Sequence, residues 1–438
     1  MPFFVSMGCT NIGDPTRHVK MKAKWLFSVV LSFCFATAGF ATDIEPRVIN
    51  GIIDLRQWNF EKNGEVKLDG SWFFFWNQFL TQKQIAQSKR SDYFNLPSVW
   101  NGNSSVYNKL DGKGFATYSV TLLVDPSVPL LALGISDFYS SYRLFINDKE
   151  VASNGTVGIN RKQSEAQWRP MTVAFAAQTD TLHLVLHVSN FQHHKGGAYD
   201  HIYLGLPEQL FQKREQAVIT NIVLFGGLGL IGFFFLILFF FFRNEKAALY
   251  FAAICITWAI RSVFNNLYLF INWFPGMDWE LAVKMEYLTL YLTMMWGILF
   301  IAQLFPEDTN AKMKRAVLVL NFLFIALTLA TPAFTYTTLL PAYMVVMWII
   351  ICYIAFVVGM AILYKRKGAW FSVAGILLGL VMFSYDMLTH SDILDFSPLL
   401  FNIGYVFIFL LNATAFAYQL SKNVTSAKPV EEFQWSIK

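Results

Sequence analysis

Residues 218–246 read VITNIVLFGGLGLIGFFFLILFFFFRNEK. No charged side chain interrupts the run from Val218 to Phe242, and it ends abruptly on Arg243, Glu245 and Lys246. A helix needs about twenty apolar residues to cross the hydrocarbon core of a bilayer, and this run is long enough. Similar stretches follow at 247–271, 282–305, 316–334, 340–364, 369–388 and 398–420. Their spacing predicts seven membrane-spanning helices within 217–420.

The connections between these stretches alternate in charge. Arg243 and Lys246 follow the first, Lys312, Lys314 and Arg315 precede the fourth, and Lys365, Arg366 and Lys367 precede the sixth. Lys422, Lys428 and Lys438 follow the last. The intervening connections have no Lys or Arg but contain Asp278, Glu280, Asp392 and Asp395. Basic loops stay in the cytoplasm, so the chain before Val218 is expected outside and the tail 421–438 inside. Trp273, Trp279, Tyr336 and Trp370 fall where aromatic side chains anchor helices at the membrane surface.

Composition agrees with a chain largely in lipid. Of its 438 residues, 55% are apolar and 14% charged, against roughly 25% charged in soluble proteins. The net charge of +5 is dispersed along membrane edges, with no basic stripe or zinc-finger spacing that would suit nucleic acid. Four cysteines occur, Cys9, Cys34, Cys255 and Cys352, none between 42 and 212. No disulfide, cysteine metal site or redox cofactor is expected there.

At the front, Lys20, Lys22 and Lys24 precede the apolar run Trp25 to Phe35, followed by Ala36, Ala38, Gly39 and Ala41. This is the pattern of a secretory signal peptide, cleaved after Ala41 or after Ala38. An uncleaved anchor is the competing reading, although the run is short for a span. Residues 1–20 have no place in such a signal, so translation is expected to start at Met21.

Residues 42–212 read as a soluble β domain. In Thr181 to Ser189, Leu182, Leu184, Leu186 and Val188 alternate with His183 and His187. Met171, Val173 and Phe175 alternate likewise, and Tyr142 to Ile146 leads into a turn at Asn147-Asp148. Short alternating strands bounded by turn residues predict an antiparallel sandwich. Trp72, Trp76 and Trp100 are read as core rather than as sugar-stacking rings. Tyr139, Tyr142, Trp168, His193, His194 and Tyr199 fall in or near loops and are the expected ligand contacts. His193-His194 has no third ligand at a metal spacing, so no metal is expected. Neither a Gly-x-Ser-x-Gly elbow nor a His-Glu-x-x-His helix is present, and binding rather than catalysis is expected.

Several polar groups lie inside the apolar stretches. Arg261 is mid-stretch, where an isolated charge costs roughly 2.5–3.5 kcal/mol by insertion scales, and Asn265 lies one turn further on. Lys284 and Glu286 sit near the outer end of the third stretch, Asp386 and His390 in and after the sixth, and Asn402 in the seventh. Arg261 should pair with Glu286 or Asp386, as a latch between helices or as a switch coupled to the outer domain.

The order Leu68-Asp69-Gly70-Ser71-Trp72, Leu96-Pro97-Ser98-Val99-Trp100, Gly114-Phe115-Ala116-Thr117-Tyr118 and Leu144-Phe145-Ile146-Asn147-Asp148 resembles the galactose-binding-like jelly roll at the front of many glycoside hydrolases. With seven helices behind it, the whole resembles the bacterial 7TM receptors with diverse intracellular signalling modules. That resemblance implies a multi-pass protein of the inner membrane with a periplasmic domain for a small or carbohydrate-like ligand. It also implies a kinase, cyclase or phosphatase module after the helices. Ser421 to Lys438 are too few for such a module, so the output falls to a separate cytoplasmic partner, or the reading frame is truncated. A sensory receptor is the leading expectation; a transport-related protein is the alternative, without the internal repeats typical of transporters.

The charge pattern yields a direct expectation. Alkaline phosphatase fused after Asp200 or Asp278 should be active, and fused after Lys314 or Lys367 inactive. Activity at Lys367 would overturn the seven-helix order.

Overall fold

The computed structural model describes residues 45–88, 92–105, 108–264, 267–366, 369–390, 394 and 397–426. The signal-peptide region and the tail beyond 426 lie outside the described residues. Among those described, a β domain precedes a helical bundle.

Among the described residues the β domain has thirteen strands: β1 (Ile52–Asp54), β2 (Val66–Lys67), β3 (Gly70–Trp76), β4 (Asp92–Leu96), β5 (Ser104–Ser105), β6 (Asn108–Lys109), β7 (Gly114–Leu123), β8 (Leu130–Ile135), β9 (Ser141–Ile146), β10 (Lys149–Asn154), β11 (Met171–Ala176), β12 (Thr181–Asn190) and β13 (Tyr203–Gly205). Two short helices, α1 (Phe60–Asn63) and α2 (Gln82–Gln87), lie between them. The larger sheet runs β10-β9-β12-β7-β3-β4, with β1 parallel to β7; the smaller runs β11-β8-β13-β2.

The alternation in β12 places its side chains. Leu182, Leu184, Leu186 and Val188 are enclosed between the sheets, while His187 faces out and meets the Leu80 carbonyl oxygen at 2.9 Å. The turn Asn147-Asp148 has φ of 50° and 64°, the left-handed pair that joins strands with the right twist. Trp72 and Trp100 are fully enclosed, and Trp76 packs beside them as a partly buried ring. The Trp72 indole donates to the Leu68 carbonyl at 2.8 Å, and that of Trp100 to the Tyr118 hydroxyl at 2.5 Å. Burying a ring with a polar edge is tolerable because each edge has its partner.

The bundle is built from α3 (Pro207–Phe241), α4 (Lys246–Phe264), α5 (Leu269–Trp273), α6 (Trp279–Leu304), α7 (Ala311–Ala330), α8 (Ala333–Thr338), α9 (Leu340–Leu363), α10 (Ala369–His390) and α11 (Pro398–Ser426). Among the described residues α3, α4, α6, α7, α9 and α11 are long and apolar enough to cross a membrane, and α10 contributes the shorter apolar stretch Ala369–Gly379. Leu224, Leu228 and Phe235 of α3 pack with Phe251 and Cys255 of α4, Phe300 of α6 and Phe409 and Phe416 of α11. Gly232 permits the close approach of α3 to α4: a Cβ there would stand 2.7 Å from the Ile256 side chain.

The sandwich rests on packing alone, with Tyr118 holding the Trp100 indole. Expressed as residues 42–212, it should be β-rich by circular dichroism and unfold identically with and without reductant. Tyr118→Phe should strand the buried indole N–H and cost about 1–3 kcal/mol in denaturant unfolding.

Candidate functional site: the joint between sheet and helices

The β domain and the bundle meet without a linker. β13 lies inside the smaller sheet, between β8 and β2, and only Leu206 separates it from Pro207 at the start of α3. Proline suits a first helical turn, where its missing N–H costs nothing. The helix runs 35 residues, roughly 52 Å at 1.5 Å per residue. That exceeds a hydrocarbon core of about 30 Å, and the surplus is the first turns, which pack on β8 and β11 with Leu210 buried. Gln209 donates to the Phe60 carbonyl at 2.8 Å, and Lys213 pairs with Glu65 and lies 4.4 Å over the Tyr203 ring.

Beside this connection, loops of the β domain sit on the near end of the bundle. The β8–β9 turn carries Asp137, 2% exposed. Its carboxylate accepts from the Tyr199 hydroxyl at 3.1 Å, the Tyr139 main-chain N–H at 3.1 Å and the Ser136 hydroxyl at 3.1 Å. Tyr139 is sandwiched: its ring stacks on Tyr199 at 3.7 Å and on His193 at 4.5 Å. The Trp168 indole donates to the Tyr139 carbonyl at 2.9 Å. Its ring, 3% exposed, lies 4.8 Å from Tyr268 and 5.8 Å, edge-on, from Trp279. Trp168 thus belongs to an apolar cluster made otherwise by Val263, Phe264, Leu269, Val283, Tyr287 and other helical residues. On the far side of the joint, the His194 main-chain N–H donates to the Thr337 hydroxyl at 3.2 Å, and Lys113 sits 3.5 Å over the Phe334 ring.

Burial sets the charge states in the β-domain half. Exclusion of water pushes the Asp137 carboxyl up to about 6, against the bonds from Tyr139 and Tyr199 that favour its ionised form. Burial pulls His193 down to about 4, so it is neutral near pH 7. Three non-glycine residues at the joint are left-handed: Phe138 (φ 49°), Tyr139 (φ 64°) and Tyr268 (φ 46°). For bulky side chains this conformation is strained.

Deeper in the helices, Arg261 of α4 reaches across to α6. Its Nη1 donates to the Glu286 main-chain carbonyl at 2.9 Å and to the Thr289 hydroxyl at 3.5 Å. The expected partner residue is therefore met, but at its backbone oxygen; no Arg261 ion pair is present among the described residues, although the Glu286 carboxylate lies within its field. Lys284 instead pairs with Glu280 one turn back on α6, at 3.2 Å. Asn402 of α11 donates to Asn221 of α3 at 3.1 Å, both almost fully buried. Asn265 and the side chains of Asp386 and His390 lie outside the described residues.

The residues named from sequence divide accordingly. Tyr139, Trp168, His193 and Tyr199 form one stacked group facing the helices, with His194 at its edge. Tyr142 lies in β9, its ring enclosed in the sandwich core. Arg261, Glu286 and Lys284 share α4 and α6, whereas Asn402 belongs to a separate contact with α3. Trp279 and Tyr336, read as surface anchors, are joint residues: Trp279 meets Trp168, and Tyr336 is 1% exposed against Tyr287 at 5.2 Å. The β domain covers that end of the bundle, which hydropathy alone does not register. Trp273 and Trp370 are exposed. Tyr268 continues the polar stripe of Arg261 and Asn265 in the sequence, whereas Asp137, Asn221 and Thr337 carry no such mark beyond a lone Asn in the first apolar stretch for Asn221.

Residues 218–422 match the family described as 7TM diverse intracellular signalling. With six long apolar helices among the described residues, the chain is a multi-pass membrane protein. No curated protein matches the chain. Solved structures that match include the GH2 beta-galacturonidase from Eisenbergiella tayi bound to galacturonate, 14% identical over 32% of this chain and 24% of that one, with a TM-score of 0.23. A beta-glucuronidase from uncultured Clostridium sp. is 14% identical over 32% of this chain and 28% of its own, with a TM-score of 0.25. The Ruminococcus gnavus beta-glucuronidase is 13% identical over the same shares, with a TM-score of 0.24. The chain spans 24–28% of the length of these enzymes, and no activity carries over from them.

The Arg261 contact predicts an asymmetry. Arg261→Ala loses bonds to a main-chain oxygen and a hydroxyl, and should lower the thermal midpoint in detergent markedly. Glu286→Gln leaves the main-chain acceptor in place and should cost far less. A double-mutant coupling above about 2 kcal/mol between the two would show that the side-chain charges carry the contact instead.

Proposed function

We propose that the chain is a sensory receptor of the bacterial inner membrane, with its β domain in the periplasm and the end of α11 in the cytoplasm. The β domain binds a small, carbohydrate-like ligand, and the helices pass the resulting change to a separate cytoplasmic signalling protein. The observation that carries this reading is the run of β13 into α3 across Leu206 alone. A ligand that alters the tilt or seating of the sandwich must move the first membrane helix with it.

The far end of that path has support as well. α3 lies along α11, joined by Asn221 and Asn402 near the joint and by Phe235 against Phe416, 5.6 Å apart, further down. α11 continues to Ser426, beyond the apolar span Leu399–Tyr418. Input strand, first helix and last helix are thus in contact in series. Coupling along it requires that both ends bias the same two arrangements. The residues expected to meet the ligand, Tyr139, Trp168, His193, His194 and Tyr199, lie at the joint. A ligand engaging them acts where the sandwich is seated on the helices. Tyr142, within the core, would support this group from behind.

The test uses the full chain in lipid nanodiscs. A panel of mono- and oligosaccharides should contain a compound that raises the thermal midpoint and changes a spectroscopic distance between labels on the cytoplasmic ends of α3 and α11. Inserting two glycines between Leu206 and Pro207 should preserve ligand binding and abolish the distance change. A response that survives the insertion would refute relay through α3.

A further inference from the structure

We propose that a cavity between α3, α4, α5 and α6 takes one acyl chain of a membrane lipid, and that this chain steadies α5, the short helix that begins at the Trp168 contact. The site stands apart from the carbohydrate reading of the sandwich and needs no signalling partner.

The cavity has a volume of about 420 Å³, within the range of roughly 300–1,000 Å³ that small-molecule sites occupy. Its walls include Phe225 of α3, Ile260 and Phe264 of α4, Trp273 of α5, and Leu281 and Met285 of α6. Among the described residues no charged, amide or hydroxyl side chain lines it. A buried water needs two to four polar partners, and even an apolar cavity of about 150 Å³ stays dry and takes benzene instead. The natural occupant is therefore hydrocarbon.

The level of the cavity in the bundle identifies which hydrocarbon. Phe225 lies about two turns past Val218, roughly 10 Å along α3. Ile260 and Phe264 are in the last turns of α4, and Leu281 and Met285 in the first turns of α6. The cavity thus falls within one half of a hydrocarbon core about 30 Å thick, on the β-domain side. Trp273, Phe274 and Leu281 line it and are also exposed on the outside of the bundle, so it is continuous with the surface that lipid covers. Acyl chains are the apolar molecules abundant at that depth. A chain already in the bilayer gains nothing by leaving water, so its hold rests on packing. Met277 and Met285 give the wall side chains that adapt to a flexible chain.

The rings of the wall lead back to the joint. Phe274 packs on Phe270 at 4.5 Å, and Phe270 on Phe264 at 4.4 Å. Phe264 belongs, with Tyr268 and Trp168, to the apolar cluster of the joint. Tyr268 directly precedes α5, so the helix that walls the cavity starts at the residue that meets the Trp168 ring. An empty cavity leaves α5 without packing partners on one side, and a chain within it supplies them.

The test uses the full chain in nanodiscs of palmitoyl-oleoyl phosphatidylglycerol, doped with the same lipid carrying a photoreactive diazirine in one acyl chain. Cross-links mapped by mass spectrometry should be several-fold denser on α5 and the first turns of α6 than on the exposed face of α9 at Val345 and Ile349. Leu281→Trp blocks the mouth and leaves the cavity empty; Ile260→Trp fills it from within. Both should lower the α5 cross-links several-fold and leave those on α9 unchanged. Hydrogen exchange then separates the two variants. Protection of α5 and of the residues around Trp168 should fall several-fold in Leu281→Trp and stay native in Ile260→Trp. Cross-links on α5 no denser than on α9, or undiminished in both variants, overturn the site. Native protection in Leu281→Trp after its cross-links are lost overturns the steadying of α5. Should Ile260→Trp not fold, Leu281→Trp decides both points alone, because Leu281 is exposed and its replacement disturbs no core. None of these measurements involves a sugar or the insertion between Leu206 and Pro207, so the lipid site and the relay fail independently.

Discussion

A strand that becomes a helix with one residue between leaves the chain almost no freedom at that point. β13 is hydrogen-bonded on both sides, to β8 and β2, so its direction is set by the smaller sheet. α3 must leave in a direction compatible with Leu206, and its first turns are then fastened by Gln209 to Phe60 and by Lys213 to Glu65. A flexible linker would let sandwich and bundle tumble separately. Here the sandwich is seated over one end of the bundle, and the remaining contacts of the joint become possible because of it.

Those contacts are unlike the ones that hold either part together. Inside the sandwich, Trp72 and Trp100 bury their indoles with partners close by in the same fold. In the lower bundle, Phe235, Phe251, Phe300 and Phe416 pack as plain hydrocarbon. At the joint the rings are Tyr, His and Trp, each with a polar edge, gathered around a carboxyl. Aromatic groups of this kind suit a boundary between a wet domain and lipid. They also suit an interface that separates, since exposed tyrosine and histidine are better solvated than leucine or phenylalanine.

The sequence was most informative where one period governs a long stretch. Continuous apolar runs placed the helices, and the loop lysines and arginines gave them an expected direction. The alternation of Leu182 to Val188 placed the core of β12, and the order of tryptophan landmarks indicated a sandwich. Legibility ended where two separately folded parts touch. Nothing local distinguishes Trp168, which leaves its own domain to enter the helical cluster, from any other loop tryptophan. Ser136 and Asp137 are common loop residues with no pattern around them to mark burial, and only tertiary packing encloses Asp137. Arg261 showed the same limit in a finer form. That it needed a partner, Glu286 or Asp386, followed from the cost of its charge, but not that the Glu286 main-chain oxygen would serve as acceptor.

The joint also contains opposing contributions of similar size. Burying Trp168 against Tyr268 and Trp279 is worth up to about 3–5 kcal/mol, on the scale of large-to-small aromatic substitutions. Against it stand left-handed backbone at Phe138, Tyr139 and Tyr268, each costing about 1–3 kcal/mol, and a carboxyl deprived of water. The strained residues flank the contact on both sides: two in the β8–β9 turn beneath the stacked rings, one where α4 gives way to α5. Phe138 is held within the sandwich core, Tyr139 by the rings stacked on it and Tyr268 by the helical cluster. On the reading proposed above, such an interface responds to a perturbation of about one or two kcal/mol, the scale on which a small ligand acts. The fully enclosed cores on either side, with no comparable opposition, keep their shape while it does so.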